Sequence, residues 1–215
     1  INLDNGGYLI AGTSDSNASA EKSQGSRGGK DYWVLKVDSF GNKVWDKTFG
    51  GYGDDTCKGI IKTIDNGYLL FGDSESNASG DKSEIRWGVS DYWLVKIDEN
   101  GSKIWDKTFG GGNEDRCLDT ISLANGNFII GGNSRSGNYL GQKSQTSLGE
   151  RDFWILEIDE NGTYIRDKIL GGSLDESFSS IQLTQDGGIK LLGETHSEIG
   201  HDISGARKGG YDLWV

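Results

Sequence analysis

The chain has no proline, no methionine, two cysteines and two histidines in 215 residues. Without proline, its turns cannot use a pre-set φ. They must rely on 35 glycines and on Asn and Asp, which accept positive φ. Two cysteines exclude a disulfide framework. Cys57 and Cys117 occupy matching points of successive repeats, a full repeat spacing apart, whereas a bridge needs Cα atoms within about 7 Å. The expectation is two reduced, buried thiols. His196 and His201 share one loop without a HExxH spacing, so no zinc signature is present. There is no G-x-S-x-G elbow, and the glycine-rich runs GGYGDD and GGGNED are acidic, which excludes a phosphate cradle.

Positive charge is scarce as well. Lys and Arg number 22 against 33 Asp and Glu, for a net charge of −11 and no basic cluster. A nucleic-acid partner and attraction to an anionic membrane are both disfavoured. No apolar run approaches the roughly 20 residues of a spanning helix, so membrane insertion through one is not expected, and the start shows no signal-peptide pattern. With Ile at position 1 and no Met, the chain is expected to be a piece of something longer, continuous with further repeats or domains. Only 33% of residues are apolar, yet seven Trp, eight Tyr and seven Phe supply large buried areas from few positions.

What the chain has in abundance is repetition. Asp31-Tyr32-Trp33 returns as Asp91-Tyr92-Trp93, Asp152-Phe153-Trp154 and Asp212-Leu213-Trp214, at spacings of 60, 61 and 60 residues. A fixed period of this size marks a supersecondary unit that buries its faces by stacking on its neighbours. Aligned on Gly50-Gly51, Gly110-Gly111 and Gly171-Gly172, the units fall near 1–51, 52–111, 112–172 and 173–215, a single region spanning 1–215.

Each unit reads as four β segments. In the second, the first runs from near Cys57 to Ile64 and ends at Asp65-Asn66-Gly67, a type I′ hairpin signal echoed at Asn5-Gly6, Asn125-Gly126 and Asp186-Gly187. Tyr68-Leu69-Leu70-Phe71 is the second, closed by Gly72. A polar linker follows, then a third strand over 91–98, a turn at Glu99-Asn100-Gly101, and a fourth over 103–109. Alternation puts apolar bulk on both faces of the third strand, so both faces must be covered. The predicted fold class is all-β: a β-propeller of about 60-residue four-stranded antiparallel blades, ragged at both ends and so an incomplete part of a larger ring.

The runs DYWVLKVDSFGNKVWDKTFGG, DYWLVKIDENGSKIWDKTFGG and DFWILEIDENGTYIRDKILGG, preceded by Asp/Asn-Gly hairpins, resemble repeats of secreted bacterial β-propeller proteins. These are familiar from Bacteroidetes-type extracellular proteins with separate C-terminal sorting domains. They are also similar to the seven-bladed bacterial propeller repeat. The resemblance covers essentially the whole chain and implies a secreted or cell-surface module. Arg166, in place of the fourth-strand Trp, and Lys190, in the last unit's second strand, depart from the pattern.

Strand alternation gathers the long loops 14–30, 74–90, 134–151 and 195–210 on one side with the connections 50–56, 110–116 and 171–177, and long loops on a rigid scaffold are where binding residues sit. Arg86, Trp87 and Tyr139 have no counterparts in the other units and are the ligand-binding candidates: an aromatic plane beside a guanidinium suits a sugar ring or a protein anchor. Local packing is the competing reading of Trp87. Asp54, Asp55, Glu114, Asp115, Asp175 and Glu176 are calcium candidates, although they lack EF-hand spacing and repeat with the scaffold, which favours hydrogen bonding to turn amides. The pairs Asp46-Lys47, Asp106-Lys107 and Asp167-Lys168 read as solvated or blade-bridging charges. No catalytic residue and no cofactor other than calcium is indicated. The reading is a non-catalytic surface module that binds protein or carbohydrate, as in an adhesin, or serves as a rigid scaffold. The alternative is a glycan-active hydrolase or lyase that uses loop-face carboxylates.

Overall fold

The structure, a computed structural model, describes every residue except Arg207. Among the described residues there are fourteen strands and no helix. They form four antiparallel sheets in which neighbours in space are neighbours in sequence. The first sheet holds β1 (Tyr8–Ser14), β2 (Asp31–Val37) and β3 (Lys43–Phe49). β4 (Asp55–Lys62), β5 (Tyr68–Ser74), β6 (Asp91–Ile97) and β7 (Lys103–Phe109) make the second. The third has β8 (Asp115–Ser122), β9 (Phe128–Ser134), β10 (Asp152–Ile158) and β11 (Tyr164–Leu170). The fourth has β12 (Glu176–Leu183), β13 (Ile189–Thr195) and β14 (Asp212–Trp214). Each 60-residue repeat thus yields one meandering sheet, a blade of the propeller type. The chain divides into two compact units: residues 1–86 with 92–108, and residues 87–91 with 109–215.

Both faces of the middle blades are covered, as the apolar alternation demands: every residue of β5, β6 and β9 is buried. In the first unit the core gathers Leu9, Tyr32, Val34, Leu70, Trp93 and Val95 among others, from two stacked blades. Tyr32 lies 4.7 Å from the Trp93 ring, and its hydroxyl donates to the Trp93 carbonyl at 2.9 Å. The second unit has its own core around Ile129, Phe153, Phe178 and Ile181. There, Phe153 and Phe178 meet edge to face at 5.3 Å. Aromatic contacts of this kind are worth about 0.5–1.5 kcal/mol beyond the area they bury.

Several local expectations are corrected. The hairpins are not type I′, which needs positive φ at both central residues. Each turn has one such residue, at Gly6 (82°), Asn66 (63°), Gly126 (89°) and Gly187 (84°). In the second blade Thr63 and Gly67 close a three-residue loop, with the Thr63 N–H donating to the Gly67 carbonyl at 3.0 Å. The third-to-fourth turns repeat the pattern at Gly41, Gly101 and Gly162. Gly72 does not end the second strand, which continues to Ser74. It is a close-approach position, where a Cβ would stand 2.7 Å from the Tyr32 hydroxyl and overlap the Thr56 carbonyl. The first strand begins at Asp55 rather than Cys57, and a bulge between Cys57 and Gly59 re-sets its register. Bulges recur at Cys117/Asp119 and Phe178/Ser180. Both cysteines are free thiols. Cys117 is buried, but Cys57 is only half-buried, since it meets Thr13 on the edge strand β1.

Candidate functional site

Each connection from the fourth strand of one blade to the first of the next follows one design. Its first glycine lies against the carboxyl of the D-Y/F-W motif: a Cβ at Gly50, Gly110 or Gly171 would overlap Oδ1 of Asp31, Asp91 or Asp152. Its second glycine donates its N–H to the acid that opens the next strand, Gly51 to Asp55 (2.7 Å), Gly111 to Asp115 (2.7 Å) and Gly172 to Glu176 (2.8 Å). Ser76 and Ser136 then donate to Asp55 (2.9 Å) and Asp115 (2.7 Å), while Thr195 donates to Glu176 (2.7 Å). Burial pushes the carboxyls of Asp31, Asp55 and Asp115 above their ordinary range despite these donors.

The long loops are fastened to the blades. Lys22, Lys82 and Lys143 turn inward and are buried. Lys22 Nζ donates to the Ser16 carbonyl at 2.7 Å, and Lys143 Nζ to the Ser136 carbonyl at 2.8 Å and to Ser134 Oγ. Burial brings the Lys143 ammonium down to about 8. Its Nζ stands 5.4 Å from the Trp154 ring centre, and Lys82 stands 5.9 Å from Trp93.

The aspartates of the Asp-Lys pairs complete the fastening, which corrects the expectation of solvated or blade-bridging charges. Asp46 and Asp106 are buried, because each accepts the indole N–H of its own blade's motif Trp (Trp33 at 3.2 Å, Trp93 at 3.1 Å) and a loop amide (Ser23 at 2.7 Å, Ser83 at 2.8 Å). Asp167 takes the Trp154 N–H at 2.8 Å. Gln24, Glu84 and Gln145 accept amides of the fourth strand, from Thr48 (2.9 Å), Thr108 (2.7 Å) and Ile169 (3.1 Å). The loops therefore cap groups that an edge strand would leave open. Two signals in the sequence point to these anchors: a Trp and an Asp at a constant offset, and a Lys in three loops at one distance before the motif Asp.

The same fastening places the predicted binding residues. The Trp87 amide donates to Asp91 Oδ2 at 2.6 Å, and the amides of Arg27, Leu148 and Lys208 do the same toward Asp31 (2.5 Å), Asp152 (2.7 Å) and Asp212 (2.6 Å). Trp87 thus does have structural counterparts; only the side chain differs. It is 37% exposed. Tyr139, 70% exposed, lies with its ring against Gly112 and Gly137. Gly88 packs on the carbonyls of Gly111 and Asn113, and Val89 N–H donates to Asn113 O at 2.9 Å. The backbone beside Trp87 and the ring of Tyr139 therefore lie along one three-residue connector. Arg86 belongs to the first unit and is half-buried.

The calcium candidates divide into two groups. Asp55, Asp115 and Glu176 hold the buried amides and hydroxyls described above. Asp54 accepts the Lys30 amide at 3.0 Å, Glu114 pairs with Arg116 (2.5 Å) and Arg135 (3.9 Å), and Asp175 pairs with Arg151 (3.7 Å) and Arg135 (3.8 Å). Among the described residues, no three His, Cys, Asp or Glu side chains come together as a metal donor set.

No protein-family model matches the chain, and no curated protein matches it. Among solved structures it is similar to a protein of unknown function from Bacteroides caccae, at 11% identity and a TM-score of 0.46 over 87% of this chain. The match covers 53% of that protein, so this chain spans about half its length.

Proposed function

We propose that the chain is a non-catalytic, secreted or cell-surface propeller module of the Bacteroidetes-type repeat class, which binds a glycan or a protein through its long-loop side. One observation carries this reading. A single backbone anchor recurs in every blade, but the residue it presents changes from Arg27 to Trp87, Leu148 and Lys208. A fixed frame with interchangeable outward residues is the layout of a presenting scaffold. The exposed aromatics Trp87 and Tyr139 along the connector 111–113 are the contact residues, with stacking on a sugar ring as the preferred chemistry.

The burial of the paired carboxyls supports binding rather than hydrolysis. Asp31, Asp55, Asp152 and Glu176 have no exposed surface from which to reach a glycosidic bond. The test is a glycan array followed by titration of the strongest ligand. Trp87→Ala and Tyr139→Ala should each weaken capture at least about tenfold, with folding unchanged. Unchanged capture by both variants would move the site elsewhere. A cleaved glycan product would replace the binding reading with an enzymatic one.

A further inference from the structure

The acid that opens the next strand is one methylene longer at the third connector than at the first two. Where Asp55 and Asp115 open β4 and β8, Glu176 opens β12. The longer arm brings a second carboxyl to the glycine already covered by the motif Asp. A Cβ on Gly171 would overlap Asp152 Oδ1 and stand 2.6 Å from Glu176 Oε2, so the two oxygens flank the same point. Both residues are fully buried. Every other oxygen of the pair has a donor: Asp152 Oδ2 takes the amides of Leu148 (2.7 Å) and Gly149 (3.2 Å), Glu176 Oε1 takes the Thr195 hydroxyl, and Glu176 Oε2 takes the Gly172 amide. Among the described residues Asp152 Oδ1 alone of the four has none, and the Glu176 carboxyl adjoins Asp152.

We propose that Asp152 and Glu176 hold one proton between them, and that its loss loosens the junction between the third and fourth blades, which makes the second unit responsive to pH. Two adjoining buried carboxylates repel each other, and a proton on Asp152 Oδ1 turns that repulsion into an O–H···O bond toward Glu176. Among the described residues, the surrounding charges do not supply the balance. On the side of the loop 135–151 the buried Lys143 attracts Asp152, but it is shared with Asp115 and Asp167 and its Nζ is held by Ser134 and Ser136. Arg151 gives its Nε–H to the Glu176 carbonyl oxygen at 3.2 Å, not to the carboxylate, and pairs with Asp175. From the loop 196–211, Asp202 accepts the Gly171 amide at 3.2 Å and adds negative charge, while the amide of His196 donates to the Asp175 carbonyl.

Burial first, and the adjoining Glu176 after it, push the Asp152 carboxyl up to about 7. The folded state therefore holds the proton more tightly than the unfolded chain. Its stabilisation is complete below about pH 4 and disappears as pH rises through about 7.

Carboxyl ¹³C titration of the full chain reads the pair directly, and Gly172 amide exchange reads the junction. The Asp152 signal should titrate near neutrality, and Gly172 opening should rise by up to about tenfold per pH unit between about pH 5 and 7. Asp152→Asn, which keeps a neutral donor toward Glu176, should flatten that rise. If this variant does not fold, Glu176→Gln should flatten it too, and the titration of the unaltered chain stands by itself. An Asp152 signal in the ordinary carboxylate range would overturn the proposal, as would an unchanged pH dependence in the folded variants. So would restoration of wild-type protection at pH 8 by calcium, which would make the missing charge a metal ion.

Discussion

The buried side of the connectors and their exposed rim obey opposite rules. Inward, the same groups return blade after blade: a glycine under a carboxyl, an acid on the next amide, an indole N–H on an aspartate. Outward, the residue on the shared anchor changes without disturbing it. The lesson concerns degrees of freedom. A group whose partners are fixed on three sides cannot change unless its neighbours change with it. A side chain that meets solvent can.

The pairing of the third strand with the fourth shows the intermediate case, in which two residues change together. In the first blade Lys36 lies opposite Trp45, with its ammonium 5.8 Å from the indole. In the third blade the same register holds Glu157 opposite Arg166, joined at 2.7 Å. The departure of Arg166 from the repeat is thus one half of a swap, from a cation over a ring to an ion pair.

The contrast is broken most severely from the inside. Trp154→Ala removes a fully buried indole and one of the donors to Asp167, which keeps those from Ser144 and Tyr164. A loss of about 3–5 kcal/mol is expected in urea unfolding. Gly50→Ala comes next, at about 1–3 kcal/mol, because its methyl must displace the Asp31 carboxyl. Acid should act on the hairpin side. Burial raises Asp65, but hydrogen bonds from Lys96 and Thr63 carry it down to about 2. Its contribution is present above the ordinary carboxylate value and fades as pH falls from about 4 toward 2. Asp65 is half exposed, so a loss below about 1 kcal/mol is expected, absent in Asp65→Asn. A double-mutant cycle on Glu157 and Arg166 should give about 0.5 kcal/mol of coupling, since the guanidinium is largely exposed. Trp87→Ala should cost the least, under about 0.5 kcal/mol; a core-sized loss would make Trp87 a packing residue and erase the contrast.

The strands were legible because period and alternation are properties of the chain itself. The fourth strand of the second blade, Lys103–Phe109, matches its expected span, and the third ends one residue early, at Ile97. The turn type was not legible: Asp-Asn-Gly suits two loop lengths, and the pairing of Thr63 with Gly67 decides between them. Gly72 misled for a similar reason, since a glycine that ends a strand and one that admits a neighbour's hydroxyl look alike until the neighbour is known. The burial of Asp46, Asp106 and the three inward lysines depends on partners from other strands, and polarity alone points the other way. The candidate residues Trp87 and Tyr139 were legible as exceptions to the repeat. Their position along one connector was not.

Hydrogen exchange at the Trp87 amide tests the central claim, a rigid frame carrying a variable rim, most directly. The side chain is exposed but the N–H is bound to a buried carboxylate. A rigid frame gives exchange as slow as that of the β6 strand amides, and equal protection in Trp87→Ala. Exchange at the rate of an unstructured loop in the wild-type chain would contradict it.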